Sequence, residues 1–447
     1  MSTQRERAAH TRRNDPADLM ALVRRLYPIC RSITGDGVRE TFDVLAESIP
    51  LQRHEIESGT PVFDWEIPRE WNIRDAWIRD EQGRVILQFS DHNLHVVSYS
   101  APVHRVVTRE ELCRHVFTLP DHPAWIPYRT SYYAESWGFC MAHERLAALP
   151  EGRYEVMIDS TLEPGALTLA ECIIPGESDE EVLLSTHVCH PSMCNDNLSG
   201  VAVLTGLCQW LAGRRNRLSY RAVFVPGTIG ALAWLHLRRR GLYQIGAVLV
   251  LCGLGDAGAF TYKRSRAGDA EIDRIAAAAV QASECGGDVR AFTPYGYDER
   301  QYCAPGIDLP VGRLTRTPYG EYPEYHTSAD NLDFVSEAQL QGALALCRRI
   351  VEDLESNRRW IATCPYGEPR LGKYELYDNR SGGGPDADQL ALLWVLNLAD
   401  GRHTLVDMAE RSTVPMATLA HAAERLHEAG LLRPARAGES LRPLSVE

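Results

Sequence analysis

The sequence alternates between short apolar runs and amphipathic helical stretches from residue 181 to residue 355. Apolar runs of strand length lie at 181–186, 221–225, 247–251 and 309–314, and helical stretches lie at 198–212, 229–240, 269–283 and 336–355. Apolar strands separated by helices are typical of a mainly parallel sheet with helices on both faces. The sequence therefore predicts an α/β fold. In such sheets, ligands bind beyond the carboxyl ends of the strands.

The segments outside this alternating region predict two further modules. With 447 residues, 45% of them apolar, the chain is long enough for two or three domains. Helices are predicted at 16–30 and 37–47, after a polar tail at 1–15. Short β-type runs predict a small β-rich insertion over residues 59–108, with the runs at 62–65, 76–78, 85–89 and 95–99. The α/β domain would then comprise residues 1–58 and 109–375.

The C-terminal segment has the pattern of a winged helix. A Gly/Pro-rich linker at 381–385 precedes the predicted winged-helix domain, residues 386–440. Within it, Gly430-Leu-Leu-Arg-Pro434 follows helical stretches at 388–397, 404–411 and 415–429. Residues 386–447 hold nine acidic side chains and six arginines, and a duplex reader should be basic on its recognition helix. We therefore expect packing or homo-oligomer contacts from this domain rather than DNA binding.

Charge and composition narrow the partners and the location. The formal charge of −13 disfavours nucleic acid or an anionic membrane as the main partner. The sequence contains no apolar run of 18 residues and no apolar segment of the signal-peptide type near its start, so we expect a cytoplasmic protein without membrane spans. The twelve cysteines include no Cys-x-x-Cys pair, which favours reduced, mostly buried thiols.

Histidine and aspartate side chains follow the first of the apolar strands. His187 and His190 come directly after the run at 181–186, and Asp196 lies where the next helix begins. Two imidazoles and a carboxylate at this edge of a sheet suit a zinc site, and the helix N-terminus stabilises the negative charge of the aspartate. A further ligand would have to come from a distant loop. The best candidate is His326, in Glu321-Tyr-Pro-Glu-Tyr-His-Thr-Ser-Ala-Asp330.

These motifs resemble those of a known superfamily. Leu183-Leu-Ser-Thr-His187 with Asn195-Asp-Asn-Leu-Ser-Gly200 is similar to the zinc aminopeptidases of the phosphorylase/hydrolase-like fold. Tyr325-His-Thr-Ser-Ala-Asp330 resembles the His-Thr-x-x-Asp segment of the same superfamily. With the β insertion and the winged helix, residues 19–434 look like aminopeptidase-like proteins associated with polysaccharide or natural-product biosynthesis.

The resemblance implies a metallopeptidase-like enzyme that acts on a small amide or peptide-like molecule. His187, Asp196 and His326 would bind Zn²⁺, with Asp330 supporting His326. His190 would be either an additional ligand or a hydrogen-bond donor behind the ligands. Cys189 stands where the superfamily has an aspartate, so the resemblance leaves open whether one or two metals bind.

A second departure affects the chemistry. Where the superfamily carries a glutamate that acts as general base, Val225-Pro-Gly-Thr-Ile-Gly230 has Gly227. Removing a general base costs roughly 100- to 10,000-fold in rate. Another carboxylate could replace it, with Glu321 and Glu324 the nearest to His326 in sequence. Alternatively, the site catalyses amide transfer or condensation, or it only binds a ligand.

Further polar residues are candidates for substrate binding. Tyr128 and Arg129 lie in an aromatic-rich loop at 125–140, where Arg129 could hold a carboxylate. The same aromatic rings could instead anchor the insertion to the core. Asp298, among tyrosines at 295–302, could grip a substrate amine or belong to an ordinary surface turn. Asp256 lies just past a strand, where the resemblance places an acidic ligand.

Overall fold

The computed structural model describes residues 18–376, 386–436 and 438–441. The tail predicted at 1–15 and the linker predicted at 381–385 lie outside these residues. The chain divides into two compact units, Met1–Asp273 with Val280–Cys347, and Arg274–Ala279 with Arg348–Glu447.

Strands and helices follow the predicted alternation along the α/β region. The strands in the described residues are β1 Gln52–Glu57, β2 Pro61–Val62, β3 Trp65–Glu66, β4 Glu70–Asp80, β5 Val85–Gln88, β6 Val103–Thr108, β7 Val116–Phe117, β8 Phe139–Cys140, β9 Arg153–Glu163, β10 Ala166–Ile174, β11 Glu181–His187, β12 Ser219–Val225, β13 Ile245–Leu251, β14 Phe260–Lys263, β15 Gly287–Arg290, β16 Val311–Thr315, β17 Arg359–Ala362, β18 Asp400–Thr404 and β19 Leu432–Pro434. The helices are α1 Leu19–Leu26, α2 Asp36–Ala46, α3 Arg109–Arg114, α4 His143–Ala147, α5 Gly200–Ala212, α6 Ile229–Arg238, α7 Glu271–Gln281, α8 Glu299–Tyr302, α9 Glu337–Ser356, α10 Ala387–Leu398, α11 Leu405–Ser412 and α12 Met416–Glu428.

The first unit is built on a mainly parallel sheet. Its strand order is β1-β10-β12-β11-β13-β16-β14-β15. The central strands β12, β11, β13 and β16 run parallel, whereas β1 and β10 are antiparallel additions at one side and β14 is antiparallel to β16. Every residue of β11 is buried, as a strand covered on both faces requires. This confirms the predicted fold class.

Helices that follow the central strands are packed on this sheet. Helix α5 contacts β11 and β13, and α6 contacts β10 and β12. All residues of α5 from Gly200 to Cys208 are buried, and so are those of α6 from Ile229 to Leu235. Because the parallel strands all end at the same edge, the loops after β11, β12 and β13 meet there.

The β-rich insertion extends beyond the predicted segment 59–108. Its sheet has the order β5-β4-β9-β6, so a central strand, β9, comes from residues 153–163. The predicted boundary at 108 is therefore wrong. Alternate residues of β9, from Tyr154 to Ser160, are buried, as in a strand with one face on a core. The predicted run at 95–99 forms only isolated bridges at Val96 and Ser98.

The second unit contains the winged-helix elements. Helices α10, α11 and α12 are accompanied by a sheet of order β18-β17-β19. The predicted start at 386 is too late, because β17, from residues assigned to the α/β domain, pairs with both other strands. Thr404 and Asp407 form a reciprocal capping box at the start of α11.

Two expectations from composition concern thiols and membrane spans. All twelve cysteines are free thiols, and eight of them are buried. Among the described residues, no helix is both long enough and apolar enough to cross a lipid bilayer.

Candidate metal centre

Strand β11 delivers the first histidine of the candidate site. His187 is the last residue of this central strand and is 2% exposed. Its Nε2 lies 2.9 Å from Oδ1 of Asp196. Since β11 lies between two parallel neighbours, its carboxyl end opens at the edge where the sheet can bind a ligand.

Asp196 is held in a fully buried turn before α5. The turn spans Cys194–Ser199 and departs from helical dihedral angles at Asp196 and Asn197, whose shared peptide bond is cis. The carboxylate of Asp330 accepts the backbone N–H groups of Cys194, Asn195 and Asp196 at 3.1, 2.6 and 2.8 Å. Asp330 was expected to support His326, but these contacts show that it fixes the turn that carries Asp196.

Asp196 is the centre on which three imidazoles converge. In addition to His187, Nε2 of His326 lies 3.1 Å from Asp196 Oδ2, and Nε2 of His190 lies 3.8 Å from the same oxygen. Ligand atoms of His187, His190 and Asp196 all lie within 4.8 Å of one another. Residues separated by some 130 positions in the chain are therefore brought to one point.

The protonation states in this cluster suit a cation. Burial lowers the pKa of His190 to about 3, so its imidazole is neutral, the form that binds metals. Burial opposes ionisation of Asp196, but the surrounding imidazoles, with His187 in hydrogen-bond contact, keep its pKa well below the usual value. The result is an ionised carboxylate among imidazoles.

Two atoms of the cluster are buried without a hydrogen-bond partner. They are Oδ2 of Asp196 and Nε2 of His326, which are close to each other but not aligned for a hydrogen bond. An unpaired buried polar atom is costly, and a shared cation would satisfy both atoms. Imidazole nitrogens with a carboxylate oxygen are the donors that zinc prefers, so the residues present fit a zinc ion.

Aromatic rings surround the imidazoles. Tyr297 stacks on His187 with ring centroids 5.0 Å apart, and Tyr325 stacks on His326 at 3.9 Å. The ring of Tyr128, which was expected to bind substrate, lies 5.2 Å from that of His190 and 5.1 Å from that of His326. Tyr297 and Tyr325 were not predicted, although both lie in segments that the sequence had already marked.

The loop of His326 is held in an unusual backbone conformation. His326 has a φ of +58°, and its carbonyl accepts the N–H of Tyr128 at 2.8 Å. Thr228, one residue after Gly227, has a φ of +61°. Such residues cost of order 1–3 kcal/mol each and are concentrated at functional sites. His326 belongs to the cluster, and Thr228 follows Gly227, which adjoins His187.

Gly227 and Asp298 occupy the side of the site where the general base was expected. A methyl group on Gly227 would lie 3.4 Å from Sγ of Cys189 and 3.9 Å from Cβ of His187. Asp298 Oδ1 accepts the N–H of Thr228 at 2.7 Å. Burial raises the pKa of Asp298 to about 6, against the lowering effect of the nearby His187. A buried carboxylate thus lies next to the position that lacks one.

Cys189 differs chemically from the aspartate that it replaces. Its Sγ accepts the N–H of Gly227 at 3.2 Å. Burial raises the pKa of the thiol to about 12, so it stays protonated near neutral pH. Near neutral pH the side chain at this position is therefore neutral, whereas an aspartate would be anionic.

Three other predicted site residues differ in their exposure and contacts. Glu321 is exposed and paired with Arg290, whose hydrogen bond lowers the pKa of Glu321. This placement does not favour Glu321 as the base. Arg129 is exposed, with its guanidinium 5.6 Å from the ring of Phe117. Glu324 is half-buried and contributes its carbonyl to Thr327.

Asp256, a predicted substrate-binding residue, makes hydrogen bonds within the protein. One carboxylate oxygen accepts the side-chain amide of Asn195 at 2.9 Å, and the other accepts the hydroxyl of Thr317 at 2.7 Å. Both oxygens are therefore engaged. Asp256 braces the turn next to Asp196.

The sheet order, with histidine and aspartate side chains at its carboxyl edge, defines an aminopeptidase-like α/β protein with a C-terminal winged helix. The family described as a domain of unknown function (DUF4910) matches residues 20–357, and this chain belongs to that family. A winged helix-turn-helix family matches residues 358–434.

Similar proteins agree with this assignment. A Clostridium acetobutylicum protein, provisionally named a polysaccharide biosynthesis protein with aminopeptidase-like domain, is 45% identical over 93% of this chain and 96% of its own. A crystal structure from the same organism, provisionally named a peptidase, has a TM-score of 0.89 and 42% identity over 97% of this chain and all of its own. The zinc aminopeptidase of Bacillus subtilis shares the fold, with a TM-score of 0.56 and 13% identity over 76% of this chain and 95% of its own.

Proposed function

We propose that this chain is a zinc-dependent, aminopeptidase-type hydrolase that acts on a small amide or peptide-like molecule. The observation that carries the proposal is the convergence of His187, His190 and His326 on the buried carboxylate of Asp196. The fold shared with a zinc aminopeptidase supports it. The provisional name of the Clostridium relative supports a place in polysaccharide biosynthesis, and the motif resemblance adds natural-product biosynthesis.

In this proposal, the four converging residues hold the metal and the surrounding residues position them. Zinc in this site would polarise the carbonyl group of a bound amide and lower the pKa of water toward about 7. Asp330 keeps Asp196 oriented through the backbone of its turn. Tyr128, Tyr297 and Tyr325 pack against the imidazoles and limit the orientations of their rings.

We assign the role of proton acceptor to Asp298. It is buried beside the Gly227–Thr228 turn and is fixed by the N–H of Thr228. A general base must lie near the reacting groups and have a pKa near the working pH. Asp298 combines a position next to the absent glutamate with a carboxyl group that can cycle between its two protonation states.

The absence of a side chain at Gly227 favours a second candidate function, amide transfer or condensation. It would also suit a protein that binds its ligand without turnover. Product analysis in water enriched in ¹⁸O separates these functions. Hydrolysis incorporates ¹⁸O into the carboxylate product. A transfer product without ¹⁸O would show that the protein catalyses amide transfer or condensation and not hydrolysis. Binding of the ligand without any product would show that the protein is a ligand-binding protein.

The zinc site gives a direct prediction. We expect purified wild-type protein to contain zinc, and we expect His326→Ala to bind zinc at least about 10-fold more weakly, because one of the converging donors is lost. Elemental analysis after dialysis against a weak chelator measures this. His104→Ala is the matched control, since His104 is 62% exposed. Protein that is free of zinc in all three forms, even after incubation with zinc, would end the proposal.

A further inference from the structure

A cavity of about 680 Å³ lies beside Gly227 and has mostly apolar walls. Gly227 and Thr228 form part of the lining, so the cavity adjoins the turn next to His187. The aromatic side chains of Trp65, Tyr132, Tyr133 and Phe292 form much of the remaining wall. A volume of this size is typical of small-molecule sites.

The rim of the cavity exposes aromatic surface. Trp65 is 42% exposed and Tyr133 is 55% exposed, although their rings pack edge to face at 5.5 Å. Trp65 comes from the β insertion and Tyr133 from the loop before β8. Exposed aromatic pairs beside a cavity are typical of sites that bind an apolar group.

The charged side chains of the cavity are cationic. Of the described residues that line it, two are arginines and none is acidic. Arg266 is already neutralised by Asp308 at 2.8 Å. Arg300 makes only a long contact of 3.4 Å with the hydroxyl of Thr228, and its Nε has no hydrogen-bond partner among the described residues.

Asp298 does not neutralise Arg300. Arg300 is close enough to lower the pKa of Asp298, but the two side chains form no ion pair within the described residues. Asp298 instead accepts from Thr228. A half-buried guanidinium without a carboxylate partner is left with unused donors in an apolar cavity, where a charge-assisted hydrogen bond is strong.

We propose that this cavity binds an apolar, ring-sized portion of the substrate that ends in an anionic group, a carboxylate or a phosphate, held by Arg300. The inference rests on the proposed function in that the cavity would present the bound molecule to the metal centre. It also narrows that function, because the favoured amide would carry an acidic rather than a basic group.

Binding of simple probes to metal-free protein tests this proposal. After zinc is removed by chelation, titration calorimetry would compare 4-phenylbutyrate and 3-phenylpropyl phosphate with the uncharged 4-phenylbutanamide. We expect at least one of the anions to bind about 10-fold more tightly than the amide, as charge-assisted hydrogen bonds to arginine imply. The anion that binds more tightly identifies the carboxylate or the phosphate.

Variants test whether the preference for the anion comes from Arg300 or from another positively charged residue. Arg300→Met should abolish the preference for the anion and leave binding of the amide nearly unchanged, whereas Arg300→Lys should keep part of the preference. Arg240→Met is a control at an exposed arginine outside the cavity lining and should bind the probes as wild type does. Equal affinity of wild type for anions and amide, or an undiminished preference in Arg300→Met, would overturn the proposal.

The outcome is independent of hydrolysis. Because the protein is metal-free, anion binding can succeed even if no amide is ever turned over. Conversely, zinc-dependent hydrolysis of neutral amides with no anion preference would sustain the proposed function and reject the role of Arg300.

Discussion

Asp298→Asn is expected to slow amide turnover by about 100- to 10,000-fold, the range for loss of a general base. The substitution removes the proton acceptor but keeps an oxygen that can accept the N–H of Thr228, so the local structure should persist. The measurement is the initial rate on the most reactive member of a panel of aminoacyl 4-nitroanilides. Zinc content should stay at the wild-type level.

Two controls separate this role from the other carboxylates. Glu321→Gln and Glu324→Gln remove the carboxylates nearest to His326 in sequence and should have little effect, since Glu321 is paired with Arg290 at the surface. Turnover by Asp298→Asn at the wild-type rate would show that Asp298 is not the base. A large loss in Glu324→Gln would assign that role to Glu324.

A rescue experiment uses the space at Gly227. A Cβ atom there would make ordinary contacts with Cys189 and His187, and Gly227 lines a cavity into which a longer side chain can extend. Gly227→Glu, introduced into Asp298→Asn, should recover much of the lost rate, whereas Gly227→Gln in the same background should not. Equal rates for the Glu and Gln forms would show that a carboxylate at this turn does not act as the proton acceptor.

Asp330→Ala is expected to weaken zinc binding by about 10- to 100-fold, the usual effect of removing a group that orients a metal ligand. It should also lower the free energy of unfolding by about 2 to 4 kcal/mol. Three buried N–H groups lose their acceptor at roughly 1–3 kcal/mol each, and relief of the buried carboxyl group offsets part of this. Burial already raises the pKa of Asp330 to about 7.

Zinc titration and chemical denaturation measure the two effects separately. Asp333→Asn is the matched control, because Asp333 is exposed in the same loop and should leave both quantities unchanged. If Asp330→Ala unfolds more easily but binds zinc as wild type does, Asp330 supports the fold and not the orientation of Asp196.

Local patterns predicted the central sheet and the converging residues. The apolar runs that became β11, β12, β13 and β16 are long enough and regular enough to be recognised without tertiary information. The helices that follow them end within two residues of their predicted bounds. His326 was expected near His187 because both belong to recognisable motifs, and the structure brings both to Asp196.

Features set by distant partners were not predictable in the same way. Asp298 is a candidate proton acceptor only because its loop contacts the turn after β12, and no residue spacing in the sequence predicts that contact. Glu321 looked suitable because it is near His326 in sequence, but Arg290 draws its side chain to the surface. The module boundaries were misplaced because β9 and β17 pair with strands remote in the chain.

The pairing of β9 means that the β insertion cannot be deleted without affecting the rest of the fold. After β9 leaves the small sheet, only two residues separate it from β10, which lies in the large sheet beside β12. A deletion of residues 59–108 would strip both neighbours from β9 and leave its backbone donors and acceptors open to pairing with other molecules. A variant without this module would therefore have to lose β9 as well, or give it new neighbours.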